Sequence, residues 1–151
     1  MLPTQTLDMF AGMPVSNFAE ARKWYERLLG SPPSFLPHDT EAVWELAEHR
    51  YIYIVEMREH AGHGRLTLFV DDLGPLVGKI GERGPVPSMR EVYPNGVRKI
   101  SYRDPDGNEI GFGGPRTRRP RRGARARREV RRSARPPQKR RRTARRRPAP
   151  P

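Results

Sequence analysis

The chain is 151 residues long, contains no cysteine and has a formal net charge of +13. Without cysteine it has no disulfide, no thiolate nucleophile and no thiolate metal site, and no apolar run approaches the roughly 20 residues that a membrane span needs. The charge is unevenly spread: residues 115–151 hold 17 arginines, one lysine and one acid (Glu129), a net +17, which leaves −4 on the 114 residues before them.

Three regions follow from this. Residues 1–6 read as a flexible start. Residues 7–114 read as one domain, long enough to bury a core. Residues 115–151, with seven prolines, no aromatic residue and one large aliphatic (Val130), read as a disordered Arg/Pro-rich tail, because such a composition buries too little to offset the entropy of ordering it. The N-terminus shows no basic segment followed by an apolar one, so no signal peptide is expected and the expected location is cytoplasmic.

Leu7 to Val15 alternates as a strand, and Pro14 argues for an edge position or a strand end. Asn17, with Glu20 three residues on, marks a helix start. Phe18, Ala21, Tyr25, Leu28 and Leu29 form one apolar stripe, and Gly30 followed by Pro32-Pro33 ends the helix. Short strands are expected at about 34–37, 42–47 and 51–57, with Glu48-His49-Arg50 as a hairpin loop. A polar connector, 58–64, leads to a strand in which Leu66, Leu68 and Val70 alternate with Thr67 and Phe69. Asp71-Asp72 then caps a helix over 73–82, closed by Gly84. Strands follow near 88–92, 97–102 and 109–112.

The last two strands are separated by Asp104-Pro105-Asp106-Gly107-Asn108, five turn formers in succession. Proline pre-sets φ, glycine supplies a positive φ, and Asp and Asn bond to nearby backbone groups. Both halves of the domain therefore read strand, helix, three strands, and the spacing from Val15 to Gly30 nearly repeats from Val70 to Gly84. The fold class expected is α+β: a duplicated βαβββ unit with each sheet covered by a helix on one face.

In these segments the chain resembles the vicinal oxygen chelate superfamily, which includes glyoxalase I, the bleomycin-resistance proteins and the extradiol dioxygenases. The resemblance rests on Val15-Ser16-Asn17-Phe18-Ala19-Glu20-Ala21 with Trp24-Tyr25 and Leu28-Leu29-Gly30, on Val70-Asp71-Asp72-Leu73, and on Asp104-Pro105-Asp106-Gly107-Asn108. It covers residues 7–114. It implies two modules whose sheets curl around a cavity, a homodimer, and in metal-dependent members a divalent ion held by side chains on cavity-facing strands. The positions that match those ligands here are Phe10, Arg65 and Gly111. Two have no donor atom and the third is a cation, so no cofactor is expected. A divalent metal held by His63 and Glu109, each two residues from a matching position and so on the same strand face, is the alternative.

The strand parity puts Arg65, Thr67, Phe69, Glu109 and Gly111 on the face away from the helix, together with Phe10 and Gly12. Trp44, Tyr51 and Tyr53 are expected to complete an aromatic wall. The candidate ligand-binding residues are thus Phe10, Trp44, Tyr53, Arg65, Thr67, Phe69 and Glu109. Arg65 suits a carboxylate or phosphate, and the rings suit a flat or cationic partner. The expected function is metal-free binding of a small molecule. A metal-dependent lyase, isomerase or dioxygenase is the alternative. For the tail two readings stand open: an arm for nucleic acid or another polyanion, or an extended or frame-shifted terminus, since arginine, proline and alanine are what GC-rich codons specify.

Overall fold

A computed structural model describes residues 7–115. The expectations for residues 1–6 and for the basic segment after residue 115 lie outside the described residues. The elements run β1 (Met9–Val15), α1 (Phe18–Leu29), β2 (Phe35–His38), β3 (Glu41–Ala47), β4 (Arg50–Glu56), a single 3-10 turn (Arg58–His60), β5 (Arg65–Phe69), α2 (Leu73–Glu82), β6 (Met89–Val92), β7 (Arg98–Arg103) and β8 (Glu109–Gly114). The two halves have the same topology, with sheet orders β1-β4-β3-β2 and β5-β8-β7-β6. In each, the opening strand pairs in parallel with the last strand of its own module, and the remaining pairs are antiparallel. Parallel pairing requires a crossover, which the helix supplies.

Helix α1 starts where the sequence places it. Asn17 is extended, and its side chain accepts from the Glu20 N–H at 3.1 Å. Gly30 is left-handed at φ 79°, and its N–H closes on the Glu26 carbonyl. The end is finished from the other module: Arg83 donates to the carbonyls of Arg27 and Leu28 at 2.5 and 3.0 Å. A cation on the last carbonyls of a helix meets the negative end of its dipole.

Three expectations are corrected. Asp72 occupies the N-cap of α2, but its side chain makes no capping bond. The β3–β4 loop is shorter than expected: Arg50 is already in β4, and His49 takes a left-handed φ of 62°. Strand β8 runs on to Gly114, because Gly113 and Gly114 pair with Lys99 and Arg98. The apolar pattern stops at Phe112, yet backbone pairing needs no side chain.

The core joins the two modules. Met13, Val15, Tyr25, Leu28, Trp44, Ile52 and Ile54 from the first meet Leu73, Ile80, Ile100, Tyr102, Ile110 and Phe112 from the second. Burying an aliphatic or aromatic side chain of this size contributes roughly 1.5–3 kcal/mol, so the two units stabilise each other.

The Asp104–Asn108 turn fastens this joint. The Asp104 carboxylate accepts from the N–H groups of Asp106 and Asn108, the Asn108 side-chain amide, and the Tyr25 hydroxyl on α1, at 2.7–3.0 Å. The Asn108 amide also donates to the Pro14 carbonyl, and its oxygen accepts from the Gly64 N–H, both at 2.7 Å. Asp106 accepts from the backbone N–H and the hydroxyl of Ser16. One turn thus holds the end of β1, the face of α1 and the entry to β5.

Candidate functional site

The face of the second sheet away from α2 is built by three neighbouring strands. Register places Arg65 beside Glu109, Thr67 beside Gly111 and Phe69 beside Gly113. On the other side of β8, Arg103 lies beside Glu109, Ser101 beside Gly111 and Lys99 beside Gly113. Alternation then puts Arg65, Thr67, Phe69, Lys99, Ser101, Arg103 and Glu109 on one face, while Leu66, Leu68, Ile100, Tyr102, Ile110 and Phe112 pack inward.

Two glycines on β8 make the floor. A Cβ at Gly111 would lie 2.5 Å from Lys99 Cε and 3.3 Å from Thr67 Oγ1. A Cβ at Gly113 would lie 3.0 Å from the Phe69 ring. The Lys99 stem and the Phe69 ring therefore cross β8 in space that any larger residue would occupy.

Glu91 of β6 pairs with Lys99 on the same face, and Glu109 is the carboxylate on which three cations converge. Its Oε1 is 3.4 Å from Arg65 Nη2 and 3.5 Å from Lys99 Nζ, and its Oε2 is 3.9 Å from Arg103 Nη2. The side chains of Glu109 and Lys99 are only 12% and 13% exposed, whereas those of Arg65 and Arg103 are 76% and 57% exposed. A depression beside them is lined by Arg65, Arg103 and Glu109 together with Gly62, His63, Gly64, Met89 and Gly107.

The corresponding face of the first sheet is aromatic. Phe10 stacks on Tyr51 with ring centroids 4.4 Å apart and planes 10° from parallel. Tyr53 lies over Gly12, where a Cβ would be 2.5 Å from its Cζ. Phe10 and Phe69 are 50% and 65% exposed.

The expected site residues thus fall into two sets: Arg65, Thr67, Phe69 and Glu109 on the second sheet, Phe10 and Tyr53 on the first. Trp44 belongs to neither, which corrects the aromatic wall. It pairs with Ile52 while Tyr51 and Tyr53 pair with Glu45 and Val43, so parity sends it to the opposite face. There it is 1% exposed, 6.0 Å from the Tyr25 ring, and donates its indole N–H to the Ser31 carbonyl. His63 is exposed at the rim of the depression. Lys99 and Arg103 were missed from the sequence, although a loop over 104–108 already sets Arg103 opposite Glu109 and parity carries Lys99 with it.

No protein-family profile matches the chain, and no curated protein matches it. Solved structures do. A glyoxalase / bleomycin resistance protein from Catenulispora acidiphila DSM 44928 is 52% identical over 73% of this chain and 99% of its own, with a TM-score of 0.71. A lactoylglutathione lyase from Agrobacterium tumefaciens (15% identity, 75% and 96% of the two chains, TM-score 0.61) and a bleomycin-binding protein complexed with bleomycin (18%, 73% and 98%, 0.60) share the fold. The duplicated βαβββ arrangement defines a protein of the vicinal oxygen chelate type. At the identity and coverage of the first of these structures, the chain belongs to the glyoxalase / bleomycin resistance protein family.

Proposed function

We propose that this protein binds a small molecule without a resident metal, as a binding or sequestering member of its family, and that it does so as a homodimer. Enzymes and binding proteins share this fold, so the reading rests on the site. The observation that carries it is the surroundings of Glu109. A divalent ion needs several anionic or neutral donors converging on one point. Here one carboxylate is already shared by Arg65, Lys99 and Arg103, whose charges repel a cation. At the other positions matching the family's ligands, Phe10 is stacked on Tyr51, and Gly111 has no side chain and lies under Lys99. Among the described residues no group of three or more His, Asp or Glu could hold a metal ion. The donor set does not fit a chelated divalent ion.

Rings on a sheet face that no helix covers among the described residues support both the small-molecule reading and the dimer, since a second copy encloses such a face. In the experiment, the full chain is titrated with zinc, nickel, manganese and iron(II) while metal content, melting temperature and mass by light scattering are followed. The expected result is a dimer mass, no stoichiometric uptake and no rise in melting temperature, because only a ligand preferred by the native state raises it. One tightly held ion per chain would overturn the metal-free reading.

A second reading concerns the net +17 of residues 115–151. We propose that this segment gives the protein a sequence-indifferent affinity for polyanions. It rests on charge alone: each neutralised phosphate releases a counterion, so binding weakens steeply with salt, and there is no aromatic residue to stack on bases. A chain ending at residue 115 is expected to lose retention on random-sequence DNA and to keep its melting temperature. Undiminished retention by that shorter chain would sink the reading.

A further inference from the structure

We infer that Lys99, Arg65 and Arg103 form a receptor for an oxyanion, the carboxylate or phosphate of a small ligand whose apolar body lies along β5 toward Phe69. This rests on the small-molecule reading above and assigns the chemistry of its site. Three cations face one carboxylate. Together they carry about thirteen N–H donors, against roughly four lone-pair positions on Glu109. The three contacts are 3.4–3.9 Å long, beyond the length of strong charge-assisted bonds, so among the described residues most of that donor capacity is unspent. Glu91 of β6 pairs with Lys99 on the same face, so one positive charge remains in excess there, and an anion would balance it.

An exposed ion pair contributes little and carries no message, but Lys99 is not exposed. Its side chain is 13% accessible and crosses β8 where Gly111 leaves room. That brings an ammonium to the position where a side chain at residue 111 would otherwise reach. A second observation points the same way. Ser101, on the same face and beside Gly111, is 1% exposed, and among the described residues its Oγ has no hydrogen-bond partner. A buried hydroxyl without a partner is costly, and an oxyanion between Lys99 and Arg103 would give its proton an acceptor. Thr67 Oγ1 stands across the same glycine. From Arg65 to Phe69 the strand runs about 13 Å, enough for an anionic head at one end and an aromatic body against the exposed ring at the other.

The test uses the full chain and three probes of one shape: 1-naphthoate, 1-naphthyl phosphate and the neutral 1-naphthamide. Each is titrated at low salt while the backbone amide resonances of Thr67, Ser101 and Gly111 are followed, which separates this site from anion binding by the arginines beyond residue 115. The expected result is that one or both anions move these resonances and bind at least about tenfold more tightly than the amide. The better of the two anions identifies carboxylate or phosphate as the natural head group. Lys99→Met is expected to weaken that anion by about tenfold, and Lys99→Arg, which keeps the positive charge, to weaken it less. Should Lys99→Met not fold, the comparison of anions with amide decides alone. Equal binding of all three probes at these resonances overturns the oxyanion receptor and leaves the small-molecule reading standing. Movement of none of these resonances by either anion overturns the receptor, whereas the metal-free reading falls only on metal uptake.

Discussion

Replacing Asp104 by alanine is expected to cost about 3–5 kcal/mol and to lower the melting temperature by on the order of 15–25 °C. Asp104 is 4% exposed, and its carboxylate accepts from four donors at once: the Tyr25 hydroxyl, the N–H groups of Asp106 and Asn108, and the Asn108 amide. Alanine leaves the buried Tyr25 hydroxyl and Asn108 N–H without that acceptor and takes one partner from the Asn108 side-chain amide. It also frees the Asn108 side chain, which ties Pro14 on β1 to Gly64 before β5, so the loss spreads from one turn to the joint between modules. Tyr25→Phe removes a single donor and is expected to cost about 1–2 kcal/mol. The double variant should cost less than the sum, because both changes break the same bond. Burial, and then the Asp104 charge beside it, push the Tyr25 phenol far above its ordinary value of 10.0. The raised value belongs to the folded state, so the neutral phenol's contribution is complete below about pH 10 and declines above it as the unfolded chain ionises first. Urea unfolding followed by circular dichroism measures all of this. An Asp104→Ala protein with the parental midpoint would show that the turn is an ornament of the joint rather than its fastening.

The sequence made the scaffold legible because local signals agreed with one another. Asn17 and Gly30 bracket α1 to the residue, since a side-chain cap and a left-handed glycine are local devices that need no knowledge of the rest of the chain. The same holds for β5, where two-residue alternation separates Leu66 and Leu68 from Arg65, Thr67 and Phe69. What resisted was register. A strand pattern fixes which residues share a face, but not which neighbour lies across, and a one-residue error in parity sends a side chain to the other side of the sheet. Trp44 went astray in this way. An indole on β3 and two tyrosines on β4 look like parts of one aromatic wall, and only the pairing of Trp44 with Ile52 shows that it faces away from them, toward Tyr25 on α1. Lys99 escaped for a different reason. Its importance comes from what is missing opposite it: Gly111 carries no side chain, so a lysine two strand positions away can lie across β8. Cations are ordinary on a surface strand, and only the gap beneath this one sets it apart.

The residues that shape the second sheet's open face also depend on Gly62, and Gly62→Ala is expected to destabilise the domain by about 2–4 kcal/mol. Its φ is +89°, a conformation in which a Cβ is strained. The Cβ would also lie 2.5 Å from the Asp106 carbonyl oxygen, which is backbone and cannot swing aside as a long side chain can. Something must therefore shift: either the connector carrying His63, Gly64 and Arg65, or the turn whose Asp106 holds Ser16. Both border the depression beside Glu109. The same substitution at Gly78, in the exposed middle of α2 with nothing within 4 Å of the added Cβ, should instead stabilise the domain by about 0.5–1 kcal/mol, because alanine has less conformational freedom to lose on folding. The pair separates a steric requirement from the general cost of a glycine. In denaturant titrations the two midpoints should move in opposite directions. With Gly62→Ala, the amide resonances of Arg65 and Glu109 should also shift in the folded protein, whereas Gly78→Ala should leave them where they are. If both variants moved the midpoint upward, the close approach of the connector to the Asp104–Asn108 turn could not be what holds Arg65 against Glu109.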